Sequence, residues 1–263
     1  MLFRLSAVYA LLAVLTTALG SGVLVPLYID PADTSCSAWT PLLNAISAHP
    51  AVPFYVIINP NSGPVPTPDT GYQTCIPRLK ASPSVTVVGY VPTTTGAASI
   101  DAVNSATAQY AAWGSAYRPQ GIFFDEVNPT SRLLSKYTNW TNTAKATLND
   151  GHGYVILNPG ASVGSQTTYF NIADQIVTAE DFYDQFSPSQ LTFSSSSPAA
   201  KQAVILTDAP SAPPASLISQ LVATDNIGSL YITDDTQANG ANPYDTLPTQ
   251  FATFVADIGT DTQ

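Results

Sequence analysis

The chain has 263 residues and a formal net charge of −10, from 8 Lys and Arg against 18 Asp and Glu. Binding to a phosphate backbone needs clustered cations, so this balance excludes a nucleic-acid partner. Two histidines and two cysteines make no ligand cluster and no glycine loop is built to cradle phosphate, so neither metal nor cofactor is expected.

In chain order the first element is a leader. Arg4 precedes an apolar run from Val8 to Leu19, and Ala18-Leu19-Gly20 offers small residues for cleavage. This predicts a signal peptide over 1–20 and a mature domain over 21–263. The run is too short to span a bilayer comfortably and no later segment is apolar enough, so no membrane span is expected. Cys36 and Cys75, an even pair in an oxidising compartment, are expected to form one disulfide. Asn139-Trp140-Thr141 is a sequon that makes Asn139 a glycosylation site. The expectation is a secreted monomer, extracellular or associated with a cell wall.

Eight short apolar runs follow: Val23–Ile29, Phe54–Ile58, Val85–Tyr90, Gly121–Phe124, Tyr154–Leu157, Gln175–Thr178, Ala203–Leu206 and Ser229–Ile232. Each reads as a strand buried on both faces. Helical patterns fall at Ala38–Ala48, Ile100–Tyr117, Arg132–Leu148, Ser216–Val222 and Thr249–Ile258. The connections after strands two, five and six read as short or irregular. Strands alternating with helices imply right-handed βαβ units, and eight repeats in this length predict an α/β fold, a single (β/α)8 TIM-type barrel.

Acids or amides gather where these strands end. Asp30, Asn59, Asp125, Asn158, Glu180, Asp208 and Asp234 each stand at or just past a strand end. One polar residue there is what a turn into solvent requires; seven suggest a polar site at the barrel mouth. Gly121-Ile122-Phe123-Phe124-Asp125-Glu126 and Ile176-Val177-Thr178-Ala179-Glu180-Asp181 both run from apolar strand to paired acids. Two such ends on a secreted chain point to hydrolysis of a glycosidic bond, which needs two carboxyl groups flanking the anomeric carbon. Side chains alternate along a strand, so Asp125 shares a face with Phe123 while Glu126 shares one with Phe124. On the residues alone, helix capping by Asp125 and Glu126 remains the alternative. Tyr28, Tyr90, Tyr183 and Tyr231 are expected as stacking surfaces for sugar rings. Asn59, Asn158, Asp208 and Asp234 are expected to hydrogen-bond sugar hydroxyls. Gly160-Ala161-Ser162-Val163-Gly164 has the form of a nucleophile elbow, but His49 and His152 both precede Ser162, so the elbow's usual chain order cannot be completed.

Four motifs in order carry a resemblance. They are Asn59-Pro60-Asn61-Ser62-Gly63-Pro64, Gly89-Tyr90-Val91-Pro92-Thr93, Gly121–Glu126 and Asn158-Pro159-Gly160. With them the chain resembles the spherulin-4-like family, similar to glycoside hydrolase family 135, over nearly the whole mature chain. The resemblance implies a (β/α)8 hydrolase like the fungal members that cleave galactosaminogalactan, an α-1,4-linked polymer of galactose and N-acetylgalactosamine. It maps the key acids onto Asp125, Glu126 and Glu180. Asp125 is then expected as nucleophile, or as water-activating base if the enzyme inverts, and Glu180 as acid/base. Glu126 would support them, and Asp181 is able to exchange roles with Glu180. One departure is the loop Thr93-Thr94-Thr95-Gly96, where relatives carry an aromatic and then a basic residue. The rival expectation is a cell-wall or coat protein that binds polysaccharide without cleaving it.

Overall fold

A computed structural model describes residues 20–261. The predicted leader, apart from Gly20, lies outside the described residues. The strands are β1 (Gly22–Leu27), β2 (Phe54–Ile58), β3 (Val85–Pro92), β4 (Gly121–Asp125), β5 (Tyr154–Leu157), β6 (Gln175–Phe182), β7 (Gln202–Thr207) and β8 (Ser229–Ile232). All neighbours pair in parallel and β8 closes onto β1, giving a barrel in sequence order. The helices are α1 (Thr40–Ala48), α2 (Thr70–Lys80), α3 (Ile100–Ala111), α4 (Leu134–Thr147), α5 (Ala215–Ser219) and α6 (Phe251–Asp261). The single (β/α)8 barrel expected from the alternation is what forms.

Close packing at the base closes the ring. Tyr55 on β2 stacks on Tyr154 on β5, with ring centroids 5.1 Å apart. Those strands are not neighbours, so the pair spans the barrel interior. Beside them the Ser229 hydroxyl donates to the Gln175 side chain at 2.6 Å, again across an intervening strand. Gly121 starts β4 because a Cβ there would stand 2.1 Å from the Tyr154 carbonyl oxygen. Outside the strands, wholly buried Trp39, Trp140 and Phe254 fill the layer beneath the helices.

Besides α3, which ends at Ala111 where the helical pattern runs on to Tyr117, two elements differ from expectation. The segment after β2 is a regular eleven-residue helix, α2, rather than an irregular connection. Asp69 caps it by accepting from the Tyr72 N–H at 3.1 Å, and Pro77 inside it masks the helical signal in the sequence. Cys75 on this helix is bonded to Cys36, with Cα atoms 5.6 Å apart, as expected. The second difference is β6, which runs four residues past the predicted Thr178. Between Val177 and Ala179 the pairing with β7 skips a residue, so Thr178 is the extra residue of a β-bulge. After β5 and β6 only 3-10 turns occur, which agrees with the irregular connections expected there.

Candidate active site

The bulge decides where Glu180 points. Gln175 faces the barrel interior, and in a regular strand Val177 and Ala179 would follow it while Glu180 would join Ile176 and Thr178 outside. Skipping Thr178 returns Glu180 to the phase of Val177. Thr178 itself turns outward and donates to the Gln202 side chain at 2.9 Å. Bulges re-aim side chains beside functional sites in this way. Asp181 takes the opposite face from Glu180, and its carboxylate folds back onto the Phe182 N–H.

Asp125 arrives without such a device. It ends β4 on the face of Phe123, whose ring stacks on Tyr90 at 6.2 Å. The next residue, Glu126, takes a left-handed backbone with φ 55°, which ends the strand and swings its side chain outward. Its exposed carboxylate accepts from the Thr94 N–H at 3.0 Å. Buried Thr93 completes the clamp, its hydroxyl serving the carbonyls of both Asp125 and Glu126. The paired acids of the sequence are thus separated: Asp125 enters the mouth and Glu126 ties down the loop after β3.

Asn158, just past β5, joins the two inward acids. Its Nδ2 donates to Asp125 Oδ1 at 2.8 Å and to Glu180 Oε2 at 2.8 Å. Its Oδ1 accepts from the Gly160 N–H at 2.9 Å, which fixes which way the amide faces. Gly160 has φ +64°, a conformation that strains any residue with a Cβ, and its carbonyl accepts from the Glu180 N–H at 2.9 Å. Asn-Pro-Gly is therefore a turn that seats both the bridging amide and the Glu180 backbone. Asn158 is 6 % exposed and has spent both amide hydrogens on the acids, so it organises the site instead of reaching for hydroxyls as expected.

Three tyrosines wall the pair. Tyr28, just past β1, lies edge-on to Tyr90 at 5.6 Å and to Tyr244 at 5.4 Å. Tyr244, from the loop between β8 and α6, donates its hydroxyl to Glu180 Oε1. Burial, then the nearby carboxylates, push all three phenols above their ordinary range, so they stay neutral. Burial is also the main force on Glu180, raising its carboxyl above the usual glutamate value. Bonds from Tyr244 and Asn158 pull it partly back, and the charge of Asp125 adds to the rise.

The remaining expected contacts are elsewhere. Tyr231 is wholly buried between Tyr244 and Phe254, so it offers no face to a sugar. Asn59 accepts from the Gly63 N–H at 2.9 Å, Asp208 from the Gln237 N–H at 3.3 Å, and Asp234 from the Thr249 N–H at 2.9 Å. Each of these rim groups therefore holds its own loops, because turning chains leave N–H groups that short polar side chains capture. Asp30 does the same for the Ala32 N–H. Tyr244 was missed in the sequence; its one signal is the length of the loop over 233–250, since long loops in compact barrels tend to be functional. Asn139 is exposed on α4, its Oδ1 accepting from Asn104. Among the described residues no cluster of His, Cys, Asp and Glu could hold a metal ion, and no helix is long and apolar enough to cross a membrane.

Comparisons with known proteins bear on the fold and the family. A crystal structure of Aspergillus clavatus Sph3 in complex with GalNAc superposes with a TM-score of 0.78 at 31 % identity, covering 91 % of this chain and 98 % of that one. An endo-β-N-acetylglucosaminidase from Cordyceps militaris shares the fold alone, with a TM-score of 0.52 at 11 % identity over 81 % of this chain and 82 % of that one. Spherulin-4 of Physarum polycephalum is 33 % identical over 234 residues, 86 % of this chain; the match spans 66 % of that relative's length. The profile of spherulation-specific family 4 matches residues 22–258, and the chain belongs to that family.

Proposed function

We propose that this protein is a secreted glycoside hydrolase that cleaves internally an α-1,4-linked, galactosamine-containing exopolysaccharide with retention of configuration. The observation that carries the reading is the Asn158 amide shared by Asp125 and Glu180. Two acceptors on one planar NH2 group, each at 2.8 Å, lie about 5 Å apart, which places the facing oxygens of the two acids at a spacing that fits retaining enzymes.

In this reading Asp125 attacks the anomeric carbon while Glu180, whose protonated form burial favours, gives its proton to the leaving glycosidic oxygen. A glycosyl ester forms on Asp125. Glu180, now a carboxylate, takes a proton from water, which opens the ester and restores both groups. Tyr28 and Tyr90, half-buried at the mouth, form the wall for the sugar ring. The GalNAc in the Sph3 complex supports the substrate class. The leader predicted over 1–20 and the Cys36–Cys75 bond support secretion, and exposed Asn139 is the site for an N-glycan.

The test is release of soluble oligosaccharides from purified galactosaminogalactan. Wild type should release them, with the α-anomer formed first by NMR. Asp125→Asn and Glu180→Gln should remain folded and lose about 10²-fold or more in rate. Binding of the polymer without release by wild type would identify a non-catalytic wall or coat protein instead. Release with the β-anomer formed first would overturn retention.

A further inference from the structure

The segment over 233–250 joins β8 to α6 and is tied at several points to acids of the rim. Asp208 accepts from the Gln237 N–H at 3.3 Å, and Asp234 from the Thr249 N–H at 2.9 Å. Asp235 accepts from the Thr246 hydroxyl, while its carbonyl accepts from the Asp208 N–H at 2.9 Å. Slung between these ties is Tyr244. Its N–H is held by Asn242 Oδ1 at 3.1 Å, its ring is edge-on to Tyr28, and its hydroxyl reaches Glu180 Oε1.

We infer that Tyr244 is a positioning residue for the hydrolysis, fixing the plane of the Glu180 carboxyl, and that the acid-tied strap over 233–250 exists to hold it there. This rests on the hydrolase reading above. The reasoning is one of lone pairs. A carboxyl group turns easily about its last bond until its oxygens are engaged, and bonds to both hold its plane more firmly than a bond to one. Asn158 engages Oε2 and Tyr244 engages Oε1, so the carboxyl plane is set by two donors from opposite sides of the mouth. Each oxygen keeps one further lone pair, and the acid proton must sit on one of those two. Its direction toward the leaving oxygen is therefore defined before substrate arrives, which is the preorganisation that proton transfer needs. Tyr244 also stabilises the carboxylate left after the proton has gone, as a hydrogen bond to the charged form does. The titratable groups facing Glu180 are Asp125 from β4, Tyr28 after β1, Tyr90 on β3 and Tyr244 itself.

The chain contains only two glutamates, Glu126 and Glu180, so carboxyl-13C labelling of glutamate gives two NMR signals. The Glu180 signal is the one absent from Glu180→Gln. Tyr244→Phe removes the hydroxyl and keeps the ring against Tyr28. In that variant the Glu180 midpoint should move to higher pH. On polymer, kcat should fall about 10- to 100-fold, the size of a lost hydrogen bond to a charged group, with KM little changed and the alkaline limb displaced upward. An unmoved midpoint with wild-type kcat overturns the proposal. A rise in KM alone also overturns it, because Tyr244 would then touch sugar and not act through Glu180. If the midpoint moves but wild type releases nothing from the polymer, the contact stands and the hydrolase reading is what fails.

Discussion

Asn158 donates to Glu180 Oε2 with the same amide nitrogen that serves Asp125, at 2.8 Å in each direction. One side chain thus sets the gap between the two acids and supplies each with a donor. Asn158→Ala should cut kcat about 10- to 100-fold and move the Glu180 midpoint to higher pH, since a bond that lowers it is lost. The Gly160 N–H also loses its acceptor, at a stability cost of about 1–3 kcal/mol. Kinetics paired with urea denaturation separates the two effects. Wild-type kcat in a folded Asn158→Ala protein would remove the bridge from the mechanism.

The raised Glu180 carboxyl predicts how stability depends on pH. The folded protein keeps a proton on Glu180 over a window where the unfolded chain, titrating near about 4.3, has released it. The native state binds more protons there, so this group's contribution to stability is present at low pH and declines as pH rises through the window. Glu180→Gln cannot titrate. Its unfolding free energy should lack that decline and should equal or exceed the wild-type value near neutral pH. Parallel curves for the two proteins between pH 4 and 8 would contradict the assignment.

The Cys36–Cys75 bond closes a sequence separation of 39 residues, tying the loop before α1 to α2. Constraining the unfolded chain over that span is worth about 4 kcal/mol in the loop-entropy model. Replacing both cysteines by alanine should lower the unfolding free energy by that order. Neither cysteine contacts the acids in the mouth, so activity per folded molecule at low temperature should persist. Loss of activity without loss of stability would place the bond in the site's architecture.

The barrel was legible because its signals are local. Runs such as Phe54–Ile58 and Tyr154–Leu157 are apolar throughout, as strands covered on both faces must be, and all eight strands formed where those runs lie. Asp125 was partly legible: β4 is regular up to its last residue, so alternation put Asp125 and Glu126 on opposite faces, though it did not say which face turns inward. The helix α2 was not, since Pro77 interrupts its pattern and its stability comes from packing and from the Asp69 cap.

The site itself divides along the same line. By itself, the sequence determined which residue types stand at the strand ends, because each strand and the polar residue after it are contiguous. Only the tertiary structure decided which of them meet. Glu180 faces Asp125 because a bulge at Thr178, visible only against β7, shifts the phase of β6. Glu126 leaves the mouth because its backbone turns left-handed and Thr94 takes its carboxylate. Asp208 and Asp234 resemble the useful acids in sequence, yet they serve backbone N–H groups of a strap whose path depends on the closed barrel. Tyr244 and Glu180 stand 64 residues apart and meet only when β8 closes on β1. Local periodicity sets where a side chain starts; long-range pairing and loop hydrogen bonds set where its tip ends.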